Sequence, residues 1–166
     1  VKSGLINESF SESTNSLTVI QQNGIRDSGA DHLNEIVDRI SNLNWAGGTS
    51  RPRYFQIRGV GERSQYFGEG SPNFSIGYAL DDIDLSGLGM LGQLFDLNQI
   101  EVFKGPQSSI FGSNAIGGLI SLKSNKPSNK NTYRYSLIVG NDGKKGINGL
   151  VNFKIIKNLL LRISST

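Results

Sequence analysis

Two short segments of the chain carry residue types at spacings that could bind a nucleotide or a metal. The first, Gly87–Gly92 with the sequence GLGMLG, matches the G-x-G-x-x-G pattern of dinucleotide-binding loops. That chemistry needs a strand before the glycines, a helix after them and an acidic residue about 20 positions later to hold the ribose. Glu101 comes too early, and the segment after the glycines lacks a helical pattern. We therefore predict no nucleotide site here.

The second segment, Asp82–Gly87 with the sequence DIDLSG, imitates the start of a calcium-binding loop. Its twelfth position is Gln93, so the bidentate carboxylate that completes such a loop is missing. The only histidine is His32 and cysteine is absent, which leaves no basis for a zinc site or a catalytic triad. The sequence predicts no metal site, no cofactor and no enzymatic activity.

Composition and charge narrow the class of protein further. The 166 residues include 17 Lys and Arg against 14 Asp and Glu, a net charge of +3, and the basic residues are scattered. Nucleic-acid binding would need them clustered on one face, so we expect no nucleic-acid partner. The start lacks the basic and apolar regions of a signal peptide, so we expect a mature chain or a fragment.

Hydrophobic periodicity predicts a small mixed domain that ends near Pro127. Residues 1–16 are polar and Ser- and Asn-rich, as expected of a mobile N-terminal arm. Between Ser28 and Leu43 the apolar residues follow helical spacing, and Ser28 with Asp31 predicts a capped start. Short strands are predicted at Leu17–Ile20, Tyr54–Arg58, Phe74–Leu80 and Ile83–Leu85, with a turn at Asp81–Asp82 between the last two.

Beyond Asn131 the pattern changes to three successive strand-length segments, YRYSLIV, GLVNFKII and LLLRIS. Tyr133, Tyr135 and Leu137 share one face while Arg134 and Ser136 share the other, the alternation found in outer-membrane barrels. An ordinary antiparallel meander gives the same alternation. A closed membrane barrel needs at least about 8 strands. We therefore predict an α+β fold: a small mixed-sheet domain followed, over residues 131–166, by the first antiparallel strands of an incomplete transmembrane β-barrel.

The run Ile100–Ile120, IEVFKGPQSSIFGSNAIGGLI, joins a strand, a Gly-Pro break and a return punctuated by glycines. The order of these features resembles the plug domain of TonB-dependent outer-membrane receptors. FQIRGVG and IGYALDDIDL resemble two further strand motifs of that family, so the resemblance covers about residues 17–127. The chain departs from the family pattern at Asp82, where glycine is usual, and at Lys104, where arginine is commoner.

This resemblance implies a plug that closes the barrel of a receptor in the outer membrane of a Gram-negative bacterium. Such receptors take up scarce bulky nutrients, foremost ferric siderophores, by active transport energised through TonB. The implied partners are TonB, the receptor's own barrel domain, outer-membrane lipid and a small-molecule ligand such as a metal chelate. The segment gripped by TonB is not recognisable in residues 1–16 and is expected upstream. The alternative is a non-transporting, plug-like β-rich module for surface binding or signalling.

The resemblance also implies three groups of site residues. Arg58, Glu101 and Lys104 are expected to contact the barrel, the two cations by facing its carboxylates. The outward loops are expected to bind ligand through Arg63, Gln65, Tyr66, Phe67 and Ser86, which offer a cation, polar groups and stacking faces for a polar aromatic chelate. The structural motif comprises Gly59, Gly105, Pro106, Gly112, Gly117 and Gly118.

Overall fold

The computed structural model describes residues 2–3, 6–7, 16–46, 54–61, 74–86 and 93–166. The chain divides into two compact units, the first ending at Lys123 and the second beginning at Ser124. The described strands are β1 (Lys2–Ser3), β2 (Ile6–Asn7), β3 (Leu17–Gln21), β4 (Leu43–Ala46), β5 (Tyr54–Ile57), β6 (Val60–Gly61), β7 (Ile76–Leu80), β8 (Ile83–Asp84), β9 (Leu97–Lys104), β10 (Gly118–Ser124), β11 (Thr132–Val139), β12 (Lys145–Ile156) and β13 (Leu159–Ser165). The described helices are α1 (Gln22–Ser28), α2 (Asn34–Val37) and α3 (Ser108–Phe111).

A five-stranded sheet with the order β3-β9-β10-β7-β8 forms the centre of the first unit. β10 and β7 run parallel, whereas β3 and β9, and also β7 and β8, run antiparallel. This mixed sheet with few short helices confirms the predicted α+β class. A second sheet, β4-β5-β6, is antiparallel.

The central sheet packs apolar side chains on both faces, which explains why its strands are apolar nearly throughout. Ile100 and Val102 of β9 join the larger core cluster, together with Ile120 and Leu122 of β10. Phe103 lies at the alternate position of β9 and packs with Leu119, Ala79 and Ala115 in a second cluster. Phe103 itself is fully buried.

The predicted amphipathic helix from Ser28 to Leu43 is wrong in its extent. Helix α1 ends at Ser28, where Gly29 adopts a left-handed conformation with φ of 68°, and α2 covers only Asn34–Val37. Ser28 is therefore the last residue of a helix, and its hydroxyl donates to the carbonyl of Ile25. The apolar spacing still identified the core correctly, because all five apolar residues of the pattern are buried: Leu33, Ile36, Val37, Ile40 and Leu43.

The predicted turn at Asp81–Asp82 is confirmed. Leu80 pairs with Ile83, so these two aspartates form the whole connection between β7 and β8. Both have positive φ, 49° for Asp81 and 70° for Asp82. Two positive φ angles define the tight hairpin turn whose twist matches that of the flanking strands.

The second unit is an antiparallel sheet with the order β11-β12-β13, which confirms the three predicted strands. One face is apolar, and Tyr133, Tyr135 and Leu137 on it are 71%, 84% and 73% exposed. Asn152 of β12 is buried on the opposite face and holds the segment before β11. Its Nδ2 donates to the carbonyls of Ser128 and Lys130 at 2.9 and 2.7 Å, and its Oδ1 accepts from the Ser128 N–H at 3.0 Å.

Across the described ranges, no helix is long and apolar enough to cross a membrane.

Candidate functional site

Arg58 occupies a tight turn between β5 and β6. Ile57 pairs with Val60, so Arg58 and Gly59 form the whole connection, and their φ angles are 55° and 80°. A left-handed conformation costs a residue with a side chain roughly 1–2 kcal/mol, so arginine is an unusual choice at this position. The backbone N–H of Arg58 donates to the carbonyl of Asn42 at 2.9 Å, which helps to hold the turn in place. Strained conformations of this kind concentrate at functional sites.

The structure brings Arg58 and Lys104 together at the start of β3. The Nη2 of Arg58 donates to the hydroxyl of Ser16 at 2.7 Å. The backbone N–H of Lys104 donates to the carbonyl of the same Ser16 at 2.8 Å, and its Nζ donates to the hydroxyl of Ser41 at 2.9 Å. We call Arg58 and Lys104 the cation pair. The sequence offered no signal for Ser16 or Ser41, because each serine lies 42 or more positions from the side chain it contacts.

The electrostatics of the cation pair favour an anion. Burial lowers the pKa of Lys104, and the positive charge of Arg58 lowers it further. Within the described part of the chain neither side chain forms an ion pair; their partners there are neutral hydroxyl groups. A carboxylate placed against the pair would relieve the repulsion between the two cations and accept charge-assisted hydrogen bonds from both.

Glu101 lies apart from the cation pair. Positions 101 and 104 are three residues apart on one strand, so their side chains leave β9 on opposite faces. The Glu101 side chain is buried within the first unit and accepts a hydrogen bond from Nε2 of Gln99. Burial raises the pKa of Glu101, and the charge of Lys123 and the bond from Gln99 offset only part of this effect. The structure therefore gives no support to grouping Glu101 with the two cations.

Of the predicted ligand-binding residues, only Ser86 can be placed. Arg63, Gln65, Tyr66 and Phe67 lie outside the described residues. The Ser86 hydroxyl accepts a hydrogen bond from the backbone N–H of Tyr78 at 3.0 Å, and the Ser86 N–H donates to Oδ1 of Asp84 at 2.9 Å. Ser86, a residue of the second predicted loop, thus fastens the chain after β8 to β7.

The glycine-rich segment after α3 packs closely against other segments of the same unit. A Cβ atom added to Gly118 would lie 2.6 Å from the carbonyl oxygen of Phe103, and Gly118 has a φ of 156°. A Cβ atom added to Gly117 would lie 2.6 Å from Cγ1 of Val60. The backbone N–H of Gln107 donates to the carbonyl of Ala115 at 2.8 Å and joins the two ends of the segment 107–115. These contacts fix the chain that follows Lys104.

Comparison with known proteins identifies the family. The profile of the TonB-dependent Receptor Plug Domain family matches residues 9–119. The chain is similar to the ferrioxamine B receptor of Salmonella typhimurium, with 27% identity over 147 residues that cover 81% of this chain and 19% of that protein. The chain therefore belongs to the TonB-dependent receptor plug domain family. TonB-dependent receptors are transporters, so the family confirms the prediction that the chain is not an enzyme.

Solved receptors share the fold. The chain superposes on the ferric-catecholate import receptor Fiu from E. coli K12 with a TM-score of 0.71 and 23% identity, over 93% of this chain and 21% of Fiu. It superposes on the ferric yersiniabactin uptake receptor FyuA from Yersinia pestis with a TM-score of 0.74 and 21% identity, over 90% of this chain and 23% of FyuA. The chain spans about a fifth of the length of the relatives it matches.

Proposed function

We propose that this chain is the plug and the first barrel strands of an outer-membrane receptor of a Gram-negative bacterium, which takes up a ferric siderophore by transport energised through TonB. Residues 17–127 form the plug in this proposal, and residues 131–166 begin the barrel. The ligand class comes from the relatives, which are named as receptors for ferrioxamine B, a ferric catecholate and ferric yersiniabactin.

The cation pair is the observation that carries the proposal. Arg58 and Lys104 are positioned by two serine hydroxyls, and within the described residues they form no ion pair. Carboxylates on the inner wall of a barrel would complete the site. Ion pairs in a wet lumen hold their partners locally but exchange readily with water, because the gain in Coulomb energy is modest at high dielectric. The plug would thus be held firmly enough to close the lumen and weakly enough to be displaced.

The second unit supports placement in a membrane. Its apolar face carries exposed tyrosine and aliphatic side chains on adjacent strands, and the register pairs Tyr133 with Val151 and Leu137 with Ile147. In water such a face would favour aggregation, whereas in a bilayer it would contact lipid. We therefore include outer-membrane lipid among the partners.

For ligand contact we propose two outward loops, one with Arg63, Gln65, Tyr66 and Phe67, which follow β6 in the sequence, and one with Ser86, which follows β8. In the full-length receptor, replacing Tyr66 and Phe67 by alanine would remove two stacking faces. We expect the dissociation constant for the transported chelate to rise about tenfold or more, because aromatic contacts contribute strongly to such sites. An unchanged dissociation constant would reject the loop assignment.

Uptake of iron tests the function directly. Cells that carry the full-length receptor would be given 55Fe-labelled ferrioxamine B, a ferric catecholate or ferric yersiniabactin, in the presence and in the absence of TonB. We expect accumulation of at least one complex that disappears without TonB. Binding at the cell surface without TonB-dependent accumulation would instead favour the non-transporting module for binding or signalling.

The cation pair has its own test in the same cells. Arg58→Asn combined with Lys104→Gln removes both charges, while asparagine before glycine suits the tight turn of β5 and β6. We expect a less firmly held plug and a several-fold faster entry of a bulky antibiotic that intact outer membrane excludes. The matched control is Lys130→Gln, which removes an exposed charge in the second unit. Equal leakage from the control and the double variant would contradict the assigned role.

A further inference from the structure

Strand β3 forms one edge of the central sheet. Among the described strands it pairs with β9 alone, in a register that runs from Leu17 opposite Phe103 to Gln21 opposite Gln99. An edge strand has hydrogen bonds along one side alone, so it can leave the sheet without disturbing any other strand pair. Ser16 is the residue directly before β3, and any force applied to the chain before Ser16 therefore reaches this residue before it reaches the strand.

Ser16 makes two hydrogen bonds that point to different parts of the first unit. Its carbonyl accepts a hydrogen bond from the backbone N–H of Lys104 at 2.8 Å, and this bond extends the pairing of β3 and β9. Its hydroxyl accepts a hydrogen bond from Nη2 of Arg58 at 2.7 Å, and Arg58 lies in the turn between β5 and β6 of the second sheet. Ser16 thus links the edge strand to both members of the cation pair.

The rest of the site does not depend on β3. The Nζ of Lys104 is held by Ser41, and the backbone of Arg58 is held by Asn42, both in the turn before β4. For the Arg58 guanidinium, by contrast, Ser16 is the one hydrogen-bond partner among the described residues. Detachment of β3 would therefore leave that guanidinium without its anchor while the turn that carries it stays in place.

We infer that Ser16 is a positioning residue that couples the attachment of β3 to the geometry of the cation pair. Loss of β3 releases the Arg58 guanidinium, and loss of the guanidinium loosens β3. The inference rests on the proposed function, in which the cation pair holds the plug. Displacement of the segment before β3 would then weaken that hold as its first effect, before the sheet itself is disrupted.

Hydrogen exchange of the full-length receptor, read by mass spectrometry in peptides that cover Leu17–Gln21, tests this coupling. Arg58→Asn preserves the tight turn and removes the guanidinium. Ser16→Ala removes the hydroxyl, and Ser16→Thr keeps it. We expect Arg58→Asn and Ser16→Ala each to speed exchange in β3 by roughly two- to tenfold, the range for one exposed hydrogen bond. Ser16→Thr should exchange like the unmodified receptor.

Two further variants make the test specific. Ser41→Ala removes the hydroxyl that holds the other cation. Within the described residues that hydroxyl forms no hydrogen bond to β3, so we expect exchange in β3 to stay unchanged. The double variant Ser16→Ala with Arg58→Asn should exchange no faster than either single variant, because both remove the same contact. Three results would each overturn the inference: additive effects in the double variant, an unchanged exchange rate of β3 in Arg58→Asn, or an equally faster exchange of β3 in Ser41→Ala.

The readout is independent of transport. If exchange in β3 behaves as expected while no iron complex accumulates in a TonB-dependent manner, the coupling stands and the proposed function fails. If uptake depends on TonB while Arg58→Asn does not change the rate of hydrogen exchange in β3, the function stands and the coupling fails.

Discussion

The ammonium of Lys123, near the end of β10, lies 2.6 Å from Oδ1 of Asp82 in the β7–β8 turn. Asp82 stands where the family pattern usually has glycine, and its φ of 70° is the conformation that a glycine would adopt without strain. Aspartate tolerates this conformation better than most residues do. The ion pair therefore accompanies a less favourable turn residue, and it ties the turn to the neighbouring strand.

Substitutions of Asp82 should separate the turn from the ion pair. Asp82→Ala loses the ion pair and leaves a residue with a Cβ atom at positive φ, where it is strained. We therefore expect the free energy of unfolding to fall by about 1–2 kcal/mol. Asp82→Gly also loses the pair, a partly exposed contact worth up to about 1 kcal/mol, but relieves the strain. Its stability should stay near that of the original chain in urea denaturation. An equal loss in both variants would show that the ion pair dominates.

The buried carboxyl group of Glu101 should make stability depend on pH. Because burial raises its pKa in the folded chain, folding binds the proton more tightly, and the free energy of unfolding should decrease as pH rises from about its ordinary value of 4.5 through the raised pKa. Glu101→Gln keeps an acceptor for Gln99 and removes the charge. We expect this variant to be the more stable chain at pH 7, with the advantage shrinking toward pH 4 in urea titrations.

Asp84 provides a control of opposite sign. Burial alone would raise its pKa, but hydrogen bonds from Ser86 and Asn114 outweigh that effect and lower it. The stability contributed by Asp84 is therefore present above its ordinary pKa of 3.8 and is lost as pH falls through the lowered value. Asp84→Asn should be less stable than the original chain at pH 7 and should approach it in acid. The same pH trend in both variants would refute the assignment of Glu101.

The close approach at Gly117 predicts a pair of compensating substitutions. A Cβ atom there would lie 2.6 Å from Cγ1 of Val60 and 2.9 Å from Cδ1 of Ile76. We expect Gly117→Ala to lower the free energy of unfolding by about 1–3 kcal/mol, the usual cost of overpacking. Val60 is 49% exposed, so Val60→Ala should cost little alone and should restore part of the loss in the double variant.

Gly105 is the matched control for this pair. A Cβ atom added to Gly105 has no neighbour within 4 Å, although its φ is 141°. Any loss in Gly105→Ala would then come from the backbone conformation, and Val60→Ala should not restore it. Rescue of both glycine variants by Val60→Ala would mean that the substitution acts on general stability instead of on the contact.

Asn152 should determine how firmly the segment before β11 is held. Removal of its side chain in Asn152→Ala leaves the Ser128 N–H without the acceptor found at 3.0 Å. We expect hydrogen exchange at Ser128 to become about tenfold faster, which corresponds to roughly 1.4 kcal/mol. The control Asn131→Ala removes an exposed amide that accepts from the Lys154 N–H at 3.3 Å, and should leave Ser128 unchanged. Equal acceleration in both variants would contradict a specific role for Asn152.

The parts of the fold that could be predicted from sequence are those set by local pattern. The apolar spacing between Ser28 and Leu43 marked buried positions, and the two aspartates marked a turn, because both signals depend on neighbouring residues alone. The predicted long helix failed because the apolar spacing that buries Ile40 and Leu43 continues past the end of α2 at Val37. Periodicity indicates which residues face the core, and it does not require an unbroken helix between them.

The candidate site was only partly predictable for a related reason. The family resemblance selected Arg58 and Lys104, but their hydroxyl partners Ser16 and Ser41 come from distant parts of the chain with no pattern of their own. The separation of Glu101 from Lys104, in contrast, follows from an odd spacing on one strand. Strand parity, applied to the motif, would have placed Glu101 on the other face of the sheet.

The pairing of Leu17 with Phe103 has a consequence for biosynthesis. A ribosome releases β3 early, and at about 5–20 residues per second the strand waits on the order of ten seconds before β9 exists. Closure of so long a loop is also costly in entropy, so we expect the pairing of β3 with β9 to be a slow step of folding. Until that step β3 is an exposed strand without its partner in the central sheet, a form that favours aggregation.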